Sequence, residues 1–133
     1  FTTQNHAISN YNGDTFIAYL FSSVAGYSKI GSYLGNGNAN GPFVYTGFRP
    51  AFVLLKRANS SGQWEMYDNK RDGYNPENEL LMASVDNAES SEERIDFLSN
   101  GFKPRTNSSN INASSTYIYL AYAERPFKYS NAR

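Results

Sequence analysis

The chain has 133 residues, enough for one domain with its own core, and balances 12 basic against 12 acidic residues. Zero net charge, with no basic stripe along the chain, speaks against nucleic acid as a partner. The lack of cysteine excludes disulfides and thiolate metal sites, and the single His6 leaves no histidine pair within one chain for catalysis or metal binding.

In chain order, residues 1–14 read as a linker or arm, and the start at Phe1 rather than Met suggests a processed or excised piece of something longer. Residues 15–21, "TFIAYLF", are apolar on both alternating sets and predict a central strand covered on two sides. "YSKIGSYLG" from Tyr27 predicts a second strand, and "PFVYTG", residues 42–47, a short third one. "AFVLLKR", residues 51–57, is a strong strand bounded by Pro50 and the turn "ANSSG". "QWEMYDN" alternates, with Trp64 and Met66 on one face and Gln63, Glu65 and Tyr67 on the other.

Residues 75–93 leave two readings open. Asn75 as N-cap and Pro76 as first helical residue would start a helix, while "ELLMAS" fits a short strand, which is favoured. "RIDFLS", Asn100-Gly101 and "FKPR" form the clearest hairpin signal in the chain, because Asn-Gly suits the two-residue turn. "NSSNINASS" is a polar loop, "STYIYLAYAE" (115–124) is the second dominant strand, and residues 125–133 form a C-terminal tail. No apolar run reaches the roughly 18 residues of a membrane span, and no signal peptide is visible.

Eight or nine short strands, 11 Tyr, 9 Phe, 16 Asn and 10 Gly together predict an all-β domain. The expected architecture is an antiparallel two-sheet sandwich, jelly-roll or lectin-like, with at most one short helix. Phe16, Ile17, Leu20, Phe52, Leu54, Trp64, Leu98, Ile118 and Leu120 are the expected core. "TFIAYLF" is also echoed by "TYIYLAY", and "GFRP" by "GFKP", matches short enough for convergent strand composition to explain.

Several stretches imitate chemical motifs. Gly35, Gly37 and Gly41 approach a dinucleotide fingerprint, but the spacing is one residue too long and Pro42 follows where a helix should begin. That stretch reads as a loop. Asp68, Asp72, Gly73 and Glu79 fall on positions 1, 5, 6 and 12 of a calcium loop, yet Lys70 occupies position 3, so a plain solvated loop is the better reading. Asp68, Asp72, Glu77, Glu79, Asp86, Glu92, Glu93 and Asp96 offer carboxylates for glycoside hydrolysis, but no spacing selects a pair. The expected catalytic set is therefore none, and no metal or cofactor is expected. The loops 36–41, 68–78 and 107–115 are the expected contact surfaces, with Asn36, Asn38, Asp72, Asn75, Asn107 and Asn110 as polar groups. Trp64, Tyr67 and Tyr74 are the candidate aromatic platforms for a sugar or a partner. Sequons at Asn59, Asn107 and Asn112 matter only in a secreted, glycosylated protein.

Four segments form an ordered set. They are "FIAYLFSSVAGYSKIGSYLGNGNANGPFVYTGFRPAFVLLKR", "WEMYDNKRDGYNPENELL", "IDFLSNGFKPR" and "YIYLAYAERPFKYSNAR". Together they resemble a C-terminal domain recurrent in virion structural proteins of marine tailed phages and their metagenomic relatives. The resemblance implies a non-catalytic module of a tail fibre, appendage or capsid decoration in the extracellular particle, with no active site to carry over. It also implies other virion proteins as partners, a homo-oligomer (a trimer by analogy), contact with a host-surface glycan or protein, and a chain end near Arg133. A free carbohydrate-binding, lectin-like module is the alternative, and a glycoside hydrolase comes third.

Overall fold

A computed structural model describes residues 11–127. Most of the expected arm, His6 and the last six residues of the expected tail lie outside the described residues. Among the described residues, eight strands run in chain order: β1 (Ser28–Leu34), β2 (Val44–Tyr45), β3 (Pro50–Arg57), β4 (Glu65–Asp68), β5 (Glu77–Met82), β6 (Ser90–Leu98), β7 (Gly101–Pro104) and β8 (Thr116–Ala123). The fold is all-β, and every strand pairing is antiparallel.

The hydrogen-bonded order is β1-β8-β3-β4-β5-β6-β7-β2, an eight-stranded sheet that passes from one layer to the other through β5, whose Leu81–Met82 end pairs with β4 and whose Glu77–Leu80 end pairs with β6. The layer β1-β8-β3-β4 thereby faces the layer β5-β6-β7-β2, as in a sandwich closed along one side. Aromatic rings join the layers: Phe102 of β7 meets Tyr33 of β1 edge-on at 5.8 Å and Tyr119 of β8 at 5.3 Å. Ser99 and Asn100 turn β6 into β7 with Leu98 opposite Gly101, so the hairpin forms where the Asn-Gly signal predicts it, but Gly101 opens β7 and the turn falls one residue earlier than expected. Residues 77–82 form a strand and no helix occurs among the described residues, which settles the ambiguous stretch.

The core lies on the opposite face of the dominant strands from the one expected. Val53 and Leu55 of β3, Tyr67 of β4, and Tyr117, Tyr119 and Ala121 of β8 are buried, together with Ile95, Phe97 and Phe102 from the second layer. Phe52, Leu54, Trp64, Leu98 and Leu120 are only half-buried, and Ile118 is exposed. The physical reason is that β3 and β8 are apolar on both faces, so alternation alone does not say which set faces inward. Tyrosines fill the interior because their hydroxyls reach loop carbonyls at its rim. Tyr33 donates to the Ile111 carbonyl at 2.6 Å, and Tyr117 donates to Ser109 at 2.7 Å. Each buried aliphatic or aromatic side chain of this size contributes roughly 1.5–3 kcal/mol.

A second correction concerns residues 15–21. They form no strand, and Phe16, Ile17, Tyr19, Leu20 and Phe21 are all exposed. The central position expected for them is taken by β8, which lies between β1 and β3.

The interior also holds charge. Glu65 is fully buried and accepts hydrogen bonds from the Tyr67 hydroxyl at 2.6 Å and the Asn110 amide at 2.9 Å, with Arg94 Nη1 at 3.4 Å. Arg94 is held in turn by the Ser108 hydroxyl at 2.8 Å and by Glu92. Burial, reinforced by the Glu65 carboxylate, pushes the Tyr67 hydroxyl well above its ordinary pKa. Burial does the same for Tyr33, with Tyr117 and Glu65 adding to it. These hydroxyls stay protonated and serve as donors.

Candidate interaction surfaces

Two surfaces stand out, one polar and one apolar. The polar one lies where the 35–43 loop approaches the β4–β5 connection. There Asn38, Ala39, Asn40, Pro76, Asp96 and Arg105 line an open hollow of about 530 Å³. Asp96 and Arg105 pair at 3.5 Å across the β6–β7 hairpin. Two of the three expected contact loops, 36–41 and 68–78, meet here, and the third supports the first of them from behind.

That support centres on Asn112, a fully buried side chain that the polar-loop reading misses. Its amide donates to the Thr106 carbonyl at 2.8 Å, the Asn38 carbonyl at 2.6 Å and the Asn36 side chain at 3.1 Å, while its oxygen accepts from the Asn36 N–H. Asn36 and Asn38 are exposed, yet each spends its side chain within the loop. Asn36 accepts from the Asn38 N–H at 3.0 Å, and Asn38 accepts from the Asn40 N–H at 2.8 Å. The glycines serve close approach here, not phosphate binding. A Cβ on Gly41 would sit 2.5 Å from the Pro104 carbonyl oxygen, and Gly37 takes φ +66°.

The remaining candidate residues divide by role. Asp72 caps the start of β5, accepting the N–H groups of Asn78 at 2.8 Å and Glu79 at 3.2 Å. Asn75 clamps β6 by exchanging two hydrogen bonds with the Phe97 backbone, both at 2.8 Å, and precedes the cis peptide to Pro76. Tyr67 is fully buried and Asn110 is turned toward Glu65, so neither presents a surface group. Tyr74 and Asn107 are exposed.

The imitation calcium loop is held together by its own side chains. Burial works against ionisation of Asp68, but the N–H groups of Lys70 and Arg71 and the Arg71 guanidinium together hold its carboxyl below the usual range. Glu79 accepts from Ser91 at 2.7 Å. Among the described residues, no three Asp, Glu or His side chains converge as a metal would require. One carboxylate stands apart. Glu77 is buried, neither of its oxygens has a hydrogen-bond partner, and its pKa is pushed up to about 7, first by burial and then by Asp72.

The apolar surface is the outer face of the first layer. Ile30, Leu120 and Leu54 lie side by side in register across β1, β8 and β3, with Ile118 in the next row. Tyr19 and Phe21 reach over this face, and with Trp64 they complete a shallow groove of about 310 Å³. Lys56 Nζ sits 6.0 Å from the centre of the Trp64 ring. Trp64 is thus a groove wall and not a core residue. The expected core residues of β3 and β8 line this face too, so the sequence found the apolar side chains but assigned them to the wrong side.

The sequence matches the family described as a domain of unknown function, DUF7483, over residues 1–126. The chain belongs to that family. No curated protein and no solved structure matches it. The DUF7483 match spans both surfaces, from Tyr19 on the apolar face to Arg105 at the polar hollow. No helix among the described residues is long and apolar enough to cross a membrane.

Proposed function

We propose that this DUF7483 domain is a non-enzymatic structural and adhesive module of a virion, in a tail fibre, appendage or capsid decoration. It assembles as a homo-oligomer and joins other virion proteins through its β surfaces. The observation that carries this reading is the apolar outer face. Ile17, Tyr19 and Leu20 are 79%, 80% and 70% exposed, and Tyr19, with Phe21, adjoins the Ile30–Leu120–Leu54 row. Apolar patches larger than a few hundred Å² on a folded surface mark contact with another protein. The location in a particle is supported by the ordered set of segments that resemble phage virion domains.

The polar hollow favours one further role, contact with a host glycan. Asn38, Asn40, Asp96 and Arg105 bring amide, carboxylate and guanidinium groups to one rim, the chemistry that holds sugar hydroxyls. The apolar groove, with few polar groups, suits a protein better than a sugar. Mass spectrometry and gold-labelled antibody on gradient-purified particles of the encoding phage test the main reading. The chain copurifying with particles and labelling them is the expected result, and its confinement to the soluble lysate would overturn the proposal. A glycan array on the isolated chain tests the hollow. Specific binding lost on Arg105→Ala assigns the glycan to it, and an array without signal removes that role.

A further inference from the structure

The apolar segment and the Ser32–Leu34 end of the sheet edge beside it are both without backbone partners. Among the described residues, no backbone hydrogen bond involves residues 15–21, although the segment is apolar on both alternating sets. In β1, alternate residues face away from β8. Val24 N–H donates to the Ser28 carbonyl at 3.0 Å, and Ser23 Oγ bridges the Ile30 N–H at 3.0 Å and its carbonyl at 3.4 Å. Ser32 and Leu34 come next in that alternation. Their outward N–H and C=O groups meet no other group among the described residues, and Leu34 is 69% exposed. The molecule therefore carries an unpaired apolar segment and an open stretch of antiparallel acceptor edge side by side.

We propose that the 15–21 segment of one copy is received by the β1 edge and outer face of a second copy of this chain. Addition of a strand satisfies the N–H and C=O groups of Ser32 and Leu34, while alternate side chains of the donor extend the Ile30–Leu120–Leu54 row. Area favours the same occupant. The exposed parts of Phe16, Ile17, Tyr19, Leu20 and Phe21, with those of Ile30, Leu34 and Ile118, amount to roughly 800 Å² on each copy. In a reciprocal exchange, where each copy gives its segment and receives the other's, that is the contribution of one partner to a stable interface of ordinary size. Charge does not oppose it, because the net formal charge is zero and two copies have no overall self-repulsion.

The inference rests on the homo-oligomer reading above and adds the seam. Light scattering on the whole chain at micromolar concentration is the test, applied to the wild type, Leu20→Asp and Ser32→Pro. Leu20 is exposed, and proline at Ser32 removes only an outward N–H, so both variants should keep the fold; circular dichroism and a thermal melt verify it. The expected wild-type mass is a multiple of 14.9 kDa, with at least a tenfold weaker association in each variant. A wild type that associates equally well with both substitutions overturns the seam and leaves the homo-oligomer standing. A wild type that stays at 14.9 kDa up to high micromolar concentration overturns both, whatever particle labelling shows.

Discussion

Glu77 makes the stability of this domain depend on pH in a direction opposite to most carboxylates. Its side chain is buried at the start of β5, without a hydrogen bond to either oxygen. Burial disfavours the charged form most, and Asp72 and Asp68 add repulsion that Arg49 and Arg71 offset only in part. The folded-state pKa is about 7 against an ordinary value of 4.5. Below pH 4.5 the group is protonated in both states and its stabilising contribution is fully present. As pH rises through 7 the folded state must give up a proton it holds more tightly than the unfolded chain does, and that stability is lost. At 1.36 kcal/mol per pKa unit the full loss is at most about 3 kcal/mol, of which about 2 kcal/mol falls between pH 5 and pH 8. Glu77→Gln keeps the shape and removes the titration. Urea unfolding followed by circular dichroism at pH 5, 6, 7 and 8 should show stability falling with pH in the wild type and a flatter profile in Glu77→Gln. His6 is common to both proteins, so the difference between the profiles isolates Glu77. Identical slopes in the two proteins would refute the reasoning.

Four further substitutions probe the packing. Phe97→Ala empties a fully buried site and should cost about 3–5 kcal/mol, whereas Trp64→Ala, on the half-buried outer face, should cost about 1–2 kcal/mol; denaturant midpoints compare them. Asn112→Ala leaves the Asn38 and Thr106 carbonyls without their donor, so stability should fall by about 1–3 kcal/mol and amide exchange should accelerate in the 36–41 loop. Gly41→Ala drives a methyl against the Pro104 carbonyl and should cost about 1–3 kcal/mol by thermal melting.

What the sequence reveals and hides follows from range. The Asn-Gly hairpin signal and the apolar runs of β3 and β8 are local; both strands stand where the pattern puts them, and the turn falls one residue early, at Ser99-Asn100. Which face of those strands is inward depends on partners far along the chain. Tyr117 and Tyr33 turn in because Ser109 and Ile111 receive their hydroxyls. Glu65 reads as an outward charge until Asn110 and Arg94 are brought to it by the fold. The "TFIAYLF" run shows the limit most plainly, since a strand-like pattern becomes a strand only when its backbone pairs, and the outward edge of β1 is met by Ser23 and Val24 but not by residues 15–21. At the candidate surfaces, the Asn36 and Asp68 loops were legible as polar turns. The role of Asn112 in holding the Asn36 loop depends on contacts between the 35–43 and 106–112 segments that no local motif announces.

A side-chain-resolution electron cryomicroscopy map of the particle that carries this domain tests the central claim most directly. The outer face of β1, β8 and β3 should be covered by a neighbouring subunit, with Tyr19 and Leu20 inside that contact. A bare outer face, together with loops closed around a small molecule beside converging acids, would contradict a role in assembly.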